Sequence, residues 1–132
     1  MCQTTPRAEV ELPVSREAPA LARDFLRGST CVEHHSEVVD DAVLLVSELV
    51  TNSVKYAFDD EGGVINVTFR VNETIGEAEL CVSDNGRGMG PPRAGSLGLR
   101  LVDSLSRQLG GRLTMPEVPK GTTTMLTFPY SV

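Results

Sequence analysis

The sequence predicts an α+β fold, a two-layer sandwich in which a mainly antiparallel mixed sheet carries its helices on one face. Two pairs of β-rich runs are each joined by a short, turn-rich connection. Three other stretches repeat their apolar residues at helical spacing. The order of these pieces, β-α-α-β-β-α-β-β, brings successive strands together as hairpins. At 132 residues, the chain is long enough to bury a core without disulfides or a structural metal, and a single domain over residues 1–132 is expected.

Ala8, Val10 and Leu12 alternate with Arg7, Glu9 and Glu11, the pattern of a half-buried strand, and Pro13 closes it. Ser15 has the chemistry of an N-cap and Pro19 fits a first helical turn. Ala18, Leu21, Ala22, Phe25 and Leu26 then form an i, i+3, i+4 stripe up to Gly28, a candidate C-cap, so a helix is expected over 16–27. From Ser36 to Ala57 a longer helix turns Val38, Val39, Ala42, Leu45, Val46, Leu49 and Val54 to the core. Gly62-Gly63 interrupts it. Strands over Val64–Val71 and Ala78–Ser83 follow, connected by Asn72–Glu77.

Asp84–Leu97 is rich in Gly and Pro and reads as a loop inside the fold. Leu99, Leu101, Val102, Leu105 and Leu109 mark a third helix ended by Gly110-Gly111. Arg112–Met115 and Thr122–Phe128 then make a second hairpin around Pro116–Gly121.

The charge balance, 12 Lys+Arg against 18 Asp+Glu, lacks the basic patch that duplex nucleic acid or an anionic membrane would require. The three cysteines, Cys2, Cys31 and Cys81, are odd in number and without metal-site spacing, which fits a reduced, cytoplasmic setting. Cys81 alternates with apolar residues and reads as a buried strand thiol. No apolar leader or membrane-length run is visible, so neither export nor anchoring is expected.

Chemistry concentrates in two places. Glu48, Asn52 and Lys55 stand at i, i+4 and i+7, within roughly 60° of one another on an ideal helix. A carboxylate can accept a proton, an amide oxygen is a hard ligand for Mg²⁺, and an ammonium can meet phosphate. Taken alone, such a face is more often solvated surface.

The segment Asp84-Asn85-Gly86-Arg87-Gly88-Met89 adds a carboxylate at a strand exit, able to accept a hydrogen bond from an exocyclic amine such as that of adenine. The glycines around it admit close ligand approach. Gly95-Ser96-Leu97-Gly98 opens the third helix, whose first N–H groups suit phosphate. Neither the P-loop nor the dinucleotide glycine pattern occurs. His34 and His35 precede the second helix and read as surface or capping residues, not as a phosphoacceptor.

Glu48-Leu49-Val50-Thr51-Asn52-Ser53-Val54-Lys55-Tyr56, Asp84-Asn85-Gly86-Arg87-Gly88-Met89, Leu97-Gly98-Leu99-Arg100-Leu101-Val102 and Gly121-Thr122-Thr123 together resemble the successive boxes of the GHKL, or Bergerat-fold, ATP-binding domain. Within it the chain is similar to the anti-sigma-factor serine/threonine kinases. That resemblance implies ATP and Mg²⁺ as ligands, with Glu48 as catalytic base, Asn52 as Mg²⁺ ligand and Lys55 on phosphate. It implies Asp84 as acceptor of the adenine amine, with Gly86, Gly88 and Met89 around the base and Thr122 or Thr123 completing that pocket. Gly98 and Leu99, at the helix start, would hold phosphate oxygens.

The resemblance also implies partners: a STAS-domain anti-anti-sigma protein as phosphoacceptor and a sigma factor that is sequestered, with a homodimer admitted. The short lid Gly90–Leu97 leaves open a regulatory ATP-binding module without turnover. The Ser96-Leu97-Gly98-Leu99 box also resembles sensor histidine kinases, which leaves open a histidine-kinase ATP domain acting in trans.

Overall fold

A computed structural model describes residues 7–30, 36–57, 63–85, 97–116 and 121–130. His34, His35, Gly86, Gly88, Met89 and the 90–96 part of the expected lid lie outside them. The elements are β1 (Arg7–Pro13), α1 (Ala18–Ser29), α2 (Ser36–Asn52), a π-turn (Ser53–Ala57), β2 (Val64–Asn72), β3 (Glu77–Asp84), α3 (Leu97–Gln108), β4 (Arg112–Thr114) and β5 (Thr122–Pro129). The strands form one sheet in the order β1-β2-β3-β5-β4, and every pairing is antiparallel.

Strand alternation divides the sheet into two faces. Ile65, Val67 and Phe69 of β2, Ala78, Leu80 and Val82 of β3, and Leu126 and Phe128 of β5 are all buried. They meet Ala22 and Leu26 of α1, Val39, Val46 and Val50 of α2, and Val102 and Leu105 of α3 in one core. Phe69 and Phe128 both make edge-to-face contact with Tyr130, at centroid distances of 6.0 and 6.3 Å. The other face carries the row Glu9, Thr68, Cys81, Met125 and Thr114.

The first helix differs from expectation at both ends. It starts at Ala18 with no side-chain cap; the Ser15 carbonyl, not its hydroxyl, accepts the Ala18 N–H at 3.2 Å. Gly28 lies inside the helix. Its end is closed by hydroxyls, with Ser29 Oγ donating to the Phe25 carbonyl and Thr30 Oγ1 to that of Leu26. The third helix ends as expected: Gly110, at φ +70°, donates to the Arg107 carbonyl and Gly111 to that of Ser106.

Among the described residues two polar links join α1 to α2. Arg23 Nη1 donates to Ser47 Oγ at 2.8 Å, and Arg27 pairs with Asp40 at 3.3 Å on the surface. Together with the shared apolar core, they fix the helix that carries Glu48 and Asn52.

Candidate functional site

Buried Leu45, Val46, Leu49 and Val50 press α2 onto the sheet, which leaves Asp41, Leu44, Glu48 and Asn52 along the opposite stripe. Leu44 is 45% exposed; Glu48 and Asn52 are half-buried. They stand one turn apart, a rise of about 6 Å. The α-helix stops at Asn52, short of the expected Ala57, and a π-turn takes over. The ideal-helix spacing that put Lys55 beside Glu48 and Asn52 therefore does not extend past Asn52. Lys55 is exposed on this turn.

Ser53, the first residue of the π-turn, is buried and faces the end of β3. Its hydroxyl donates to Asp84 Oδ2 at 2.9 Å. The Thr122 N–H donates to Asp84 Oδ1 at 3.2 Å, so both carboxylate oxygens are held, and the residue is only 8% exposed. A buried carboxylate is tolerated only with such donors. Gly121, at φ +81°, sits directly over this strand end; a Cβ built there would overlap the Asp84 carbonyl oxygen. Asn85 closes the neighbouring edge, its Oδ1 accepting the Val64 N–H at 3.0 Å.

Beside this carboxylate runs a narrow cleft lined by Leu49, Asn52, Ser53, Val82, Val102, Leu113, Met115, Thr122 and Thr124. Its walls come from the end of α2, the sheet and α3, apolar along the sides and polar at the Asn52 and Thr122 end. The space enclosed by the described residues is only about 20 Å³, close to that of one water, and Leu49, Val82 and Val102 on its walls belong to the core, so a planar base would enter beside Asp84 only as these walls part.

The structure thus brings Asn52, Ser53 and Thr122 to one cleft, with Asp84 behind its lining, bonded to Ser53 and Thr122, and Glu48 on the helix stripe that leads to it. Gly98 and Leu99 lie in the first turn of α3, which carries no acidic residue. Thr123 pairs with Ser83, one position along from the Asp84–Thr122 pair, so its side chain belongs to the opposite face of the sheet. Thr124 takes the place beside Thr122 that sequence reasoning offered to Thr123. The period of two along a strand was the available signal. Ser53 and the apolar walls were also missed, because only the packed fold shows which residues meet Asp84.

The family model for "Histidine kinase-, DNA gyrase B-, and HSP90-like ATPase" matches residues 37–132, which include both the helix of Glu48 and the strand of Asp84. The chain belongs to this family, the GHKL ATPases. It is 33% identical over 130 residues to Blue-light-activated histidine kinase 2 of Erythrobacter litoralis, covering 89% of this chain and 37% of that protein. It is 34% identical over 116 residues to the Serine-protein kinase RsbW of Listeria innocua, covering 73% of each.

The solved histidine kinase domain of the Erythrobacter litoralis EL346 blue-light activated kinase superposes with a TM-score of 0.57 at 34% identity. That match covers 70% of this chain and 45% of the other. The catalytic domain of the histidine kinase ThkA, at 12% identity and TM-score 0.56, covers 96% of this chain and shares the fold. As a GHKL ATPase domain, the chain is of a family that binds ATP, and its similar proteins are kinases. Among the described residues no helix is long and apolar enough to cross a membrane.

Proposed function

We propose that this GHKL chain is a single ATP-binding domain that acts as a Mg²⁺-dependent serine/threonine protein kinase of the anti-sigma-factor type. Its acceptor would be the STAS-domain anti-anti-sigma protein, and it would sequester a sigma factor. The observation that carries the reading is the pairing of an anchored acceptor, Asp84, with Asn52 at the cleft and Glu48 one turn beyond it. The similarity to a serine-protein kinase over 73% of both chains supports the choice of acceptor chemistry.

In this reading Asp84 accepts the adenine amine while Leu49, Val82, Val102 and Leu113 flank the base, with Thr122 and Thr124 alongside. Gly86, Gly88 and Met89 would complete the base pocket. The triphosphate then extends toward Asn52, Lys55 and the first turn of α3 at Gly98 and Leu99. A half-buried amide oxygen is a suitable hard donor for Mg²⁺, and Asn52 would hold the ion, which when bound neutralises phosphate charge.

Glu48 takes the proton of the acceptor hydroxyl as that oxygen bonds to the γ-phosphorus. The bond from the γ-phosphorus to the bridging oxygen breaks, and ADP leaves with the electron pair. Positioning and charge supply most of the rate in such transfers.

The relative from Erythrobacter litoralis favours a second reading, a histidine-kinase ATP domain working on a separate phosphoacceptor. Transfer of labelled phosphate from ATP to a purified STAS-domain acceptor separates the two. The serine-kinase reading expects acid-stable, base-labile phosphate on the acceptor. Acid-labile phosphate on a histidine-containing acceptor supplied in parallel would establish the histidine reading, and nucleotide binding with transfer to neither acceptor would leave the chain a regulatory module.

A further inference from the structure

We propose that Ser53 is a positioning residue that gives the cleft its preference for a 6-amino purine, acting through Asp84. The inference rests on the reading that Asp84 receives the purine amine. The Ser53 hydroxyl lies 2.9 Å from Asp84 Oδ2, and both side chains are buried. With the Thr122 N–H on Oδ1, donors from two different elements, the π-turn and β5, hold the carboxylate at both oxygens.

A carboxylate oxygen accepts more than one donor, so this anchoring is compatible with a further N–H from a base. A carboxylate held in one plane presents its acceptor lobe in one direction. Without the hydroxyl, Oδ2 loses a buried donor, and the terminal bond, a soft torsion, holds the acceptor direction less tightly. Ser53 is also the chain neighbour of Asn52, and both line the cleft. The π-turn therefore links the group that orients the base to the residue proposed at the phosphates. Nothing in the apolar walls distinguishes an amino from an unsubstituted purine; the anchored carboxylate does.

The test is a two-by-two titration of the full chain with MgATP and with the Mg²⁺ salt of purine riboside triphosphate, which lacks the 6-amino group. Wild type is expected to bind ATP about tenfold more tightly than the analogue, the effect of one charge-assisted hydrogen bond. Ser53→Ala is expected to lose most of that preference, with analogue affinity within twofold of wild type. Ser53→Thr, which keeps the hydroxyl, restores the preference.

If Ser53→Ala weakens both nucleotides equally, or neither, Ser53 is structural and the proposal is overturned while the site stands. If wild type itself shows no preference, the assignment of Asp84 to the amine fails, and this proposal fails with it. The ratio is taken within each variant, so a general loss of stability does not imitate the expected result.

Discussion

Gly121 packs over Asp84 so closely that a methyl group on its Cα would overlap the Asp84 carbonyl oxygen, and its φ of +81° lies where L side chains are strained. Gly121→Ala therefore meets two penalties, a left-handed backbone and a clash with main chain that has no rotamer to escape into. The expected loss is about 2 kcal/mol, read as a drop in Tm of roughly 5–10 °C. ATP affinity should fall as well if Asp84, on the displaced strand end, accepts the base as proposed. An unchanged Tm would mean that the two segments are not in contact.

Glu48 is half-buried on the outer stripe of α2 and lies outside the cleft lining. Glu48→Gln should lower the rate of phosphoryl transfer by about 10²- to 10⁴-fold, the usual contribution of a general base, and leave the ATP dissociation constant within twofold. Single-turnover transfer and equilibrium titration check the two halves separately. Equal transfer rates in wild type and variant would remove Glu48 from the chemistry.

The two links between α1 and α2 differ in worth. Arg23 donates to Ser47, which is buried, whereas Arg27 and Asp40 pair in water. Arg23→Met should destabilise the fold by about 1–2 kcal/mol, since it strands a buried hydroxyl. Arg27→Met should change stability by less than about 0.5 kcal/mol. Urea unfolding midpoints measure both, and the reverse ranking would refute the assignment.

Cys81 lies mid-strand, where burial, with the Glu79 carboxylate adding, pushes its thiol above its ordinary 9.0. The folded chain thus holds the proton to higher pH than the unfolded chain. Stability is unaffected below the unfolded value and declines as pH rises through it, because the unfolded state ionises first. Iodoacetamide labelling of Cys81 at pH 8.5, followed by peptide mass, should be several-fold slower in the native protein than in urea.

Much of the fold is legible in the sequence because its signals are local. The alternation in Val64–Val71, the stripe over Val38–Leu49 and the closing glycines at 110 and 111 each depend on a few neighbouring residues. The misplaced features are those where tertiary packing or a competing hydrogen bond decides. Ser29 and Thr30 close α1 in place of Gly28, and a π-turn replaces the last turn expected of α2.

The candidate site divides in the same way between local and packed features. Asn52 and Asp84 announce themselves through position in their elements and through family resemblance. Ser53 does not, because its role exists only once α2 has docked on β3. Thr123 was offered alongside Thr122 because the motif names residues in a row, whereas a strand divides them between two faces.

The central claim is that the anchored carboxylate of Asp84 accepts the nucleotide base, and calorimetric titration of MgATP into wild type and Asp84→Asn tests it most directly. The account predicts clear binding by wild type and about tenfold or more weaker binding by the near-isosteric variant, with its circular dichroism spectrum unchanged. Equal ATP affinities in two equally folded proteins would contradict it.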